Sequence, residues 1–138
     1  MAFPPITTCI VCDGTREETL HKYTLLGFYG VAPHVRIFLR DFSLPFTVCF
    51  FFCGTTGEGR FRVELRLTGP SGHVVQGNMV PPIDGVLSRN IQVSYFILTF
   101  QGILPGPGEY QVSLVANGVE QYSTSIAIDQ AGPEMFTN

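Results

Sequence analysis

Apolar and polar residues alternate along most of the chain, and the alternation is interrupted mainly at Gly, Pro, Asn and Asp. A period of two is the spacing expected of β-strands that bury one face. The clearest example is the segment 60–69, RFRVELRLTG, in which apolar residues alternate with Arg and Glu. The pattern predicts an all-β protein without helices.

The alternation also predicts where individual strands lie. We expect strands at 6–12, 21–30, 46–53, 60–69 and 90–100, and either a strand or an irregular crossing at 34–42. Two more strands flank Asn117-Gly118, because both central residues of a type I′ hairpin turn need a positive φ.

The connections between these strands are predicted from their turn residues. Asp13 and Gly14 should turn the chain between the first two strands, and the segment 54–59, GTTGEG, should be a hairpin loop. The turn at 70–72 should return the chain as a hairpin partner at 73–76. Segment 78–89 contains paired prolines, which cannot lie inside a ladder, so we expect a crossover loop there.

Several short strands without a helix predict a two-layer antiparallel β-sandwich. In LPGPGEYQV, Gly108 and Tyr110 enter a strand from a glycine-rich corner. This layout is similar to the tyrosine corner of immunoglobulin-like sandwiches, so we predict that topology, with a jelly roll as the alternative. The length predicts one domain, residues 1–128, followed by a flexible C-terminal tail, residues 129–138.

Residues 6–128 as a whole resemble a family of small uncharacterised bacterial β-sandwich proteins. The likeness rests on the N-terminal strand, the acidic turn followed by YTLLGFYG, the middle rich in Arg and Phe, and LPGPGEYQVSLVANGVE near the end. The resemblance implies a β-sandwich without an assigned activity. No catalytic residue is carried over from it.

Composition narrows the function classes. The formal net charge is −3, and 14% of the residues are charged, against about 25–35% for a typical soluble surface. An acidic chain with few Lys and Arg lacks the basic surface that nucleic acid requires. No apolar run approaches the roughly 20 residues of a membrane span. The first residues lack the basic region of a signal peptide, so we expect a cytoplasmic protein.

Four cysteines raise the possibility of a structural zinc site, since Cys9 and Cys12 form one pair and Cys49 and Cys53 another. On extended strands Cys9 and Cys12 point to opposite faces, and Cys49 and Cys53 lie about 13 Å apart. We therefore interpret all four as small apolar core residues. A zinc site and a disulfide are the alternatives.

Candidate catalytic residues are sparse. Asp13, Glu17 or Glu18 could pair with His21 as an acid–base site, but a solvated polar connection explains them as well. His34 and His73 stand alone at strand starts. Segment 69–73 lacks the glycine spacing of a nucleophile elbow, and segment 54–59 lacks the Lys of a phosphate-binding loop. We predict a protein that is not an enzyme and holds no cofactor or metal.

A row of arginines is the candidate anion-binding stripe. Arg60, Arg62 and Arg66 project from one face of a strand because alternate residues share a face. Arg36 and Arg40 are candidates to extend this stripe. The alternative is an ordinary solvent face that Glu64 partly neutralises.

The segment FTVCFFFC (46–53) is apolar on both faces, although a strand in a two-layer sandwich should bury only one. SYFILTF (94–100) repeats the pattern more weakly. A second layer of cover is therefore expected, either from a loop such as 78–89 or from another copy of the protein. The candidate interface comprises Phe46, Val48, Phe50, Phe51, Phe52, Phe96, Leu98 and Phe100.

Three functions are compatible with these features. The favoured hypothesis is a non-catalytic structural or interaction module that self-associates through its apolar sheet face, most simply as a homodimer and otherwise as a higher homo-oligomer. A different protein is a further candidate partner. The alternative is a small-molecule-binding protein with an apolar cleft between sheets or subunits, lined by Phe50, Phe52, Phe96 and Phe100. An enzyme, which would need His21 beside a carboxylate in a pocket, is the third.

Overall fold

The computed structural model describes residues 3–18, 22–75, 83–87 and 94–132. Within these ranges the chain forms nine β-strands and no helix. They are β1 (Ile6–Glu17), β2 (Tyr23–Val31), β3 (Arg36–Leu39), β4 (Phe46–Gly54), β5 (Gly59–Thr68), β6 (Ile83–Leu87), β7 (Ser94–Gly102), β8 (Gly108–Ala116) and β9 (Val119–Gln130). Accordingly, the described ranges contain no helix suited to crossing a membrane. The all-β prediction is confirmed.

The strands form two sheets that pack in a sandwich-like arrangement. One sheet has four strands in the order β2-β1-β4-β7, and the other has five in the order β3-β9-β8-β5-β6. Neighbouring strands are antiparallel except β3 and β9, which pair in parallel through Arg36–Leu39 and residues 127–130. The chain therefore changes sheets at five connections, which are β2 to β3, β3 to β4, β4 to β5, β6 to β7 and β7 to β8.

The core lies between the sheets and is built from alternate residues of each strand. Phe50 and Phe52 of β4 face Val63 and Leu65 of β5 within one buried cluster. On β5 the alternate residues Arg60, Arg62 and Arg66 are exposed, and Glu64 is half-buried. The regular alternation predicted for this strand is therefore confirmed.

Strand β1 extends further than the sequence predicted. Asp13 and Gly14 do not turn the chain, because β1 continues to Glu17 and pairs with β2 along that length. Gly14 lies opposite Leu26 and Glu17 opposite Tyr23. A long ladder with β2 satisfies the backbone of residues 13–17, which the polar side chains alone had suggested to be a turn.

Three other predicted connections also differ. Segment 54–59 is a crossing between sheets and not a hairpin loop, since β4 and β5 belong to different sheets. Segment 78–89 contains strand β6, which pairs with β5, while residues 78–82 and 88–89 lie outside the described residues. Up to residue 75, the last described residue of this segment, the return after 70–72 is limited to one bridge between Thr68 and Val74. Strand β9 includes residues 129 and 130, which had been expected in the tail.

Tyr110 holds the corner before β8 by a hydrogen bond back to the upstream backbone. Its side chain is fully buried, and its hydroxyl donates a 2.5 Å hydrogen bond to the Gly106 carbonyl oxygen. Gly108 has a φ of +146°, and an added Cβ would lie 2.6 Å from Pro70 Cγ. A residue with a side chain would thus displace the 70–72 turn. Tyr110 and Gly108 fix the arch that leads the chain into β8.

Replacing Tyr110 with phenylalanine should lower the free energy of unfolding by about 1–3 kcal/mol, because it leaves the Gly106 carbonyl without its phenol donor. Chemical denaturation checks the size of this change. Tyr95→Phe, which removes an exposed hydroxyl, is the matched control and should stay within about 0.5 kcal/mol of the parent protein. Equal losses in the two variants would show that the corner hydrogen bond does not contribute to stability.

Candidate functional site

The hairpin of β1 and β2 folds back over the outer face of the four-stranded sheet. Phe51 of β4 pairs with Ile10, whereas Tyr23 pairs with Glu17, seven positions further along β1. A straight strand would separate these levels by about 23 Å, yet the rings of Tyr23 and Phe51 lie 6.1 Å apart. Strand β1 therefore bends back, and its pairing shifts register at Val11–Cys12.

We call residues 13–17 and 23–28 the hairpin ribbon. It covers a second, smaller apolar cluster that lies outside the main core. Cys12 and Cys49 are fully buried there, and Phe51 is 7% exposed. The second layer of cover that the two-sided apolar strand required is thus supplied over Phe51 by this chain's own hairpin.

A polar contact links the two strands of the β1–β2 hairpin. The Tyr29 hydroxyl donates a 2.5 Å hydrogen bond to Asp13 Oδ1. Gly27 has a φ of +63°, and a Cβ at this position would lie 2.0 Å from Asp13 Oδ2. Only glycine leaves room for the Asp13 side chain to cross β2 and reach Tyr29. Burial and the contact with Asp13 raise the pKa of Tyr29 to about 12.

The cysteines lie where strand parity predicted, with Cys9 on the inner face of β1 and Cys12 on the outer face. Cys12 and Cys49 are directly opposite each other in the β1–β4 ladder, and the Cys12 thiol donates to the Gly14 carbonyl oxygen at 3.3 Å. All four thiols are free. Burial is the main cause that raises the pKa of Cys12 to about 11 and that of Cys9 to about 12. Both thiols are protonated and poor nucleophiles at neutral pH.

Most residues of the candidate interface point inward. Five of them belong to the buried core between the sheets, where a partner could not contact them: Val48, Phe50, Phe52, Leu98 and Phe100. Phe46 and Phe96 are partly buried and pack against that core, and Phe96 stacks on Phe3. Phe51 alone faces the outer side. Any association surface on this sheet must therefore use other residues.

An exposed apolar row runs along β2, the edge strand of the four-stranded sheet. It consists of Leu26, Phe28 and Val31, and Phe28 is 62% exposed. No residue of β2 carries a charge. The alternating pattern of YTLLGFYG predicts a strand, but it does not predict that Leu26, Phe28 and Val31 are exposed. A period of two does not tell which face of a strand another element will cover.

Beside the ribbon lies an aromatic cleft with a volume of about 370 Å³. It is lined by Lys22, Tyr23, Leu25, Phe51 and Tyr95. The Phe51 ring lies 5.3 Å from that of Tyr95, and the two planes meet at 52°. These residues come from three strands and the residue before β2, so no sequence motif unites them.

The arginine stripe is present on the outer face of β5, where Arg60, Arg62 and Arg66 are exposed. It is partly neutralised, since Arg62 Nη1 lies 3.4 Å from Asp84 Oδ2 and Arg66 Nη2 lies 4.0 Å from Glu64 Oε1. Arg36 and Arg40 do not extend it, because β8 and β9 separate β3 from β5. Arg36 instead pairs with Asp129.

A polar depression of about 340 Å³ on the five-stranded sheet brings together His34, Arg36, Glu109 and Ser125. Within the described ranges no hydrogen bond joins His34 to Glu109 or Ser125. The depression thus has polar groups without a hydrogen-bonded nucleophile and base. His21, the candidate acid–base residue of the sequence, lies outside the described residues.

Comparisons with known proteins include a distant structural similarity. No protein-family model matches the chain, and no curated protein sequence does. Among solved structures, the Pseudomonas fluorescens alkylpurine DNA glycosylase AlkC, bound to DNA containing an abasic site analog, is similar over 71% of this chain and 28% of that chain. The sequence identity is 13% and the TM-score is 0.39. This chain therefore spans less than a third of the length of that protein, and the likeness assigns neither a family nor a function.

Proposed function

We propose that this protein is a non-catalytic interaction module that binds a second copy of itself through the exposed apolar row of β2. The observation that supports this proposal most directly is that Leu26, Phe28 and Val31 are all exposed on one uncharged edge strand. An edge strand exposed in this way favours association unless something covers it. A two-fold dimer brings the same surface of each copy together.

The topology we propose for the module is immunoglobulin-like. In that fold one sheet contains strands A, B and E in that order, followed by D, and the other contains C, F and G. Among the described residues no strand takes the place of D beside β7. The neighbours β1, β4 and β7 match the first group, and β5, β8 and β9 match the second. The tyrosine corner then falls on strand F, as in immunoglobulin-like domains. NMR contacts between Ile37 and Ile128, which pair in parallel, would test this assignment.

The shape of β2 favours packing of side chains over addition of a continuous strand. Gly27 and Gly30 have φ values of +63° and +148°. Residues in these conformations interrupt the extended backbone that a new ladder would need along its whole length. In the proposed dimer Phe28 is therefore the central contact, flanked by Leu26 and Val31.

Replacing Phe28 with aspartate should convert the dimer to a monomer. Burying the exposed part of one Phe ring contributes about 1–2 kcal/mol, and a two-fold interface contains this contact twice. We therefore expect dimer affinity to fall at least about 30-fold. Sedimentation velocity across the micromolar concentration range measures this change, and Phe28→Leu should retain the dimer.

Val119→Asp is the matched control, because Val119 is 60% exposed and belongs to the five-stranded sheet. This variant should remain a dimer. A parent protein that stays monomeric throughout the concentration range would refute the proposal. Loss of the dimer in Val119→Asp but not in Phe28→Asp would place the interface on the other sheet.

The small-molecule alternative receives less support in its original form. Phe50, Phe52 and Phe100 belong to the buried core, and the ring centroids of Phe52 and Tyr122 of β9 lie 6.1 Å apart. These rings fill the space between the sheets. A ligand site therefore has to lie elsewhere on the molecule.

A further inference from the structure

The aromatic cleft beside the hairpin ribbon has the size of a small-molecule site. Its volume of about 370 Å³ falls within the range of about 300–1,000 Å³ that is typical of ligand pockets. Its walls come from two parts of the fold, since Tyr23 and Leu25 belong to the ribbon and Phe51 and Tyr95 to the sheet beneath it. The bend of β1 creates this concave surface.

The three rings form an angled corner. Phe51 is the floor, Tyr23 meets it at 71° and Tyr95 meets it at 52°. Tyr23 is 40% exposed and Tyr95 is 52% exposed, so both retain accessible ring surface. Aromatic rings interact favourably with another ring in tilted or offset arrangements. A flat aromatic ligand can thus contact more than one of these rings at once.

The charge at the cleft selects among aromatic ligands. Among the described residues that line it, Lys22 carries a charge. The nearby Glu18 carboxylate already accepts 2.8 Å hydrogen bonds from Arg16 Nε and Thr24 Oγ1. Glu17 lies opposite Tyr23 in the ladder but does not line the cleft. The Lys22 ammonium therefore favours a negative group on the ligand and repels a cation from the ring faces.

We propose that the cleft binds a small planar aromatic carboxylate. The ligand ring lies between the exposed faces of Tyr23 and Tyr95, where it contacts the small part of Phe51 that the ribbon leaves uncovered, and its carboxylate lies beside Lys22. Leu26, Phe28 and Val31 do not line the cleft. The site is therefore independent of the proposed dimer interface, and the monomeric Phe28→Asp variant should bind the same ligands as the parent protein.

The direct test is titration with 2-naphthoate, followed by isothermal calorimetry and by backbone NMR shifts. We expect saturable binding, with the largest shifts at Lys22, Tyr23, Phe51 and Tyr95. Tyr95→Ala should weaken binding roughly tenfold, because the ligand ring loses one aromatic wall. Tyr95→Phe keeps the ring and should bind normally.

Variants and ligands of different charge test whether the cleft prefers a negative ligand. Lys22→Gln should weaken the binding of 2-naphthoate by about two- to fivefold, which is the effect of one exposed ion pair. The affinity for the neutral 2-naphthamide should not change. Glu17→Gln should bind 2-naphthoate at least as tightly as the parent. Tighter binding of 2-naphthylmethylammonium than of 2-naphthoate would overturn the proposal.

A control for non-specific aromatic binding is Phe38→Ala on the five-stranded sheet, where Phe38 is 44% exposed. This variant should bind 2-naphthoate as the parent does. Absence of saturable binding by the parent protein, or an equal loss in Phe38→Ala and Tyr95→Ala, would refute the site. Shifts centred on Leu26 and Phe28 would do the same.

Discussion

Replacing Phe50 with alanine is expected to lower the free energy of unfolding by about 3–5 kcal/mol. Phe50 is completely buried between the sheets, and its ring centroid lies 6.3 Å from that of Phe52. Alanine would remove the apolar contact area and leave a cavity between two sheets whose hydrogen-bonded strands limit collapse. Urea denaturation monitored by circular dichroism measures the change.

Phe38→Ala is the control for this prediction. Phe38 is substantially exposed on β3, so its replacement should cost less than about 1 kcal/mol. Similar costs for the two variants would mean that β4 does not form the centre of the core. Near-normal stability of Phe50→Ala alone would argue against the inward orientation of this ring.

Period two alone placed Val48, Phe50 and Phe52 on one face of β4, but it did not show that this face points inward, and the three residues were predicted to form an interface. The same argument assigned Cys9 and Cys12 to opposite faces of β1, and both are buried on those separate faces. Such local alternation is reliable because successive side chains of a strand must point in opposite directions. It requires no knowledge of which strands are neighbours.

Strand partners were not predictable in this way. The loop at 54–59 looks like a hairpin loop, yet β4 and β5 belong to opposite sheets. Its glycines mark a break in the strand but do not specify whether the next strand pairs or crosses. Asp13 and Gly14 likewise have the composition of a turn, but pairing with β2 holds both in a strand. Tertiary pairing overrides these weak local preferences.

From the sequence it was predictable that the outer face of β4 must be covered, but not which part of the molecule covers it. Two-sided apolarity in β4 predicted that something must cover Phe51, and the hairpin ribbon does so. The source of that cover depends on the bend in β1 beyond Cys12, where its pairing with β4 ends, and this bend creates both the aromatic cleft and the exposed outer side of β2. Neither surface has a contiguous motif, because each depends on where the ribbon lies after it bends.

Raising the pH from about 8 to about 10.5 should lower the free energy of unfolding by about 2 kcal/mol through Cys9 alone. Burial, with a smaller contribution from the neighbouring Cys53 and Cys49, raises the pKa of Cys9 from 9.0 to about 12. Above pH 9 the unfolded chain therefore loses a proton that the folded protein retains. Because the folded state then binds more protons, stability is fully present below pH 9 and falls as the pH rises toward 12.

Urea denaturation in the presence of a reducing agent, repeated across this pH interval, measures the slope, and Cys9→Ala is the matched variant. It should be less stable than the parent near pH 8, since it loses a buried side chain, but its stability should fall less steeply with pH. A smaller decline will remain, because burial also raises the pKa of Cys12 to about 11. Parallel declines in the parent and in Cys9→Ala would mean that Cys9 ionises as readily in the folded protein as in the unfolded chain, and would contradict its position between the sheets.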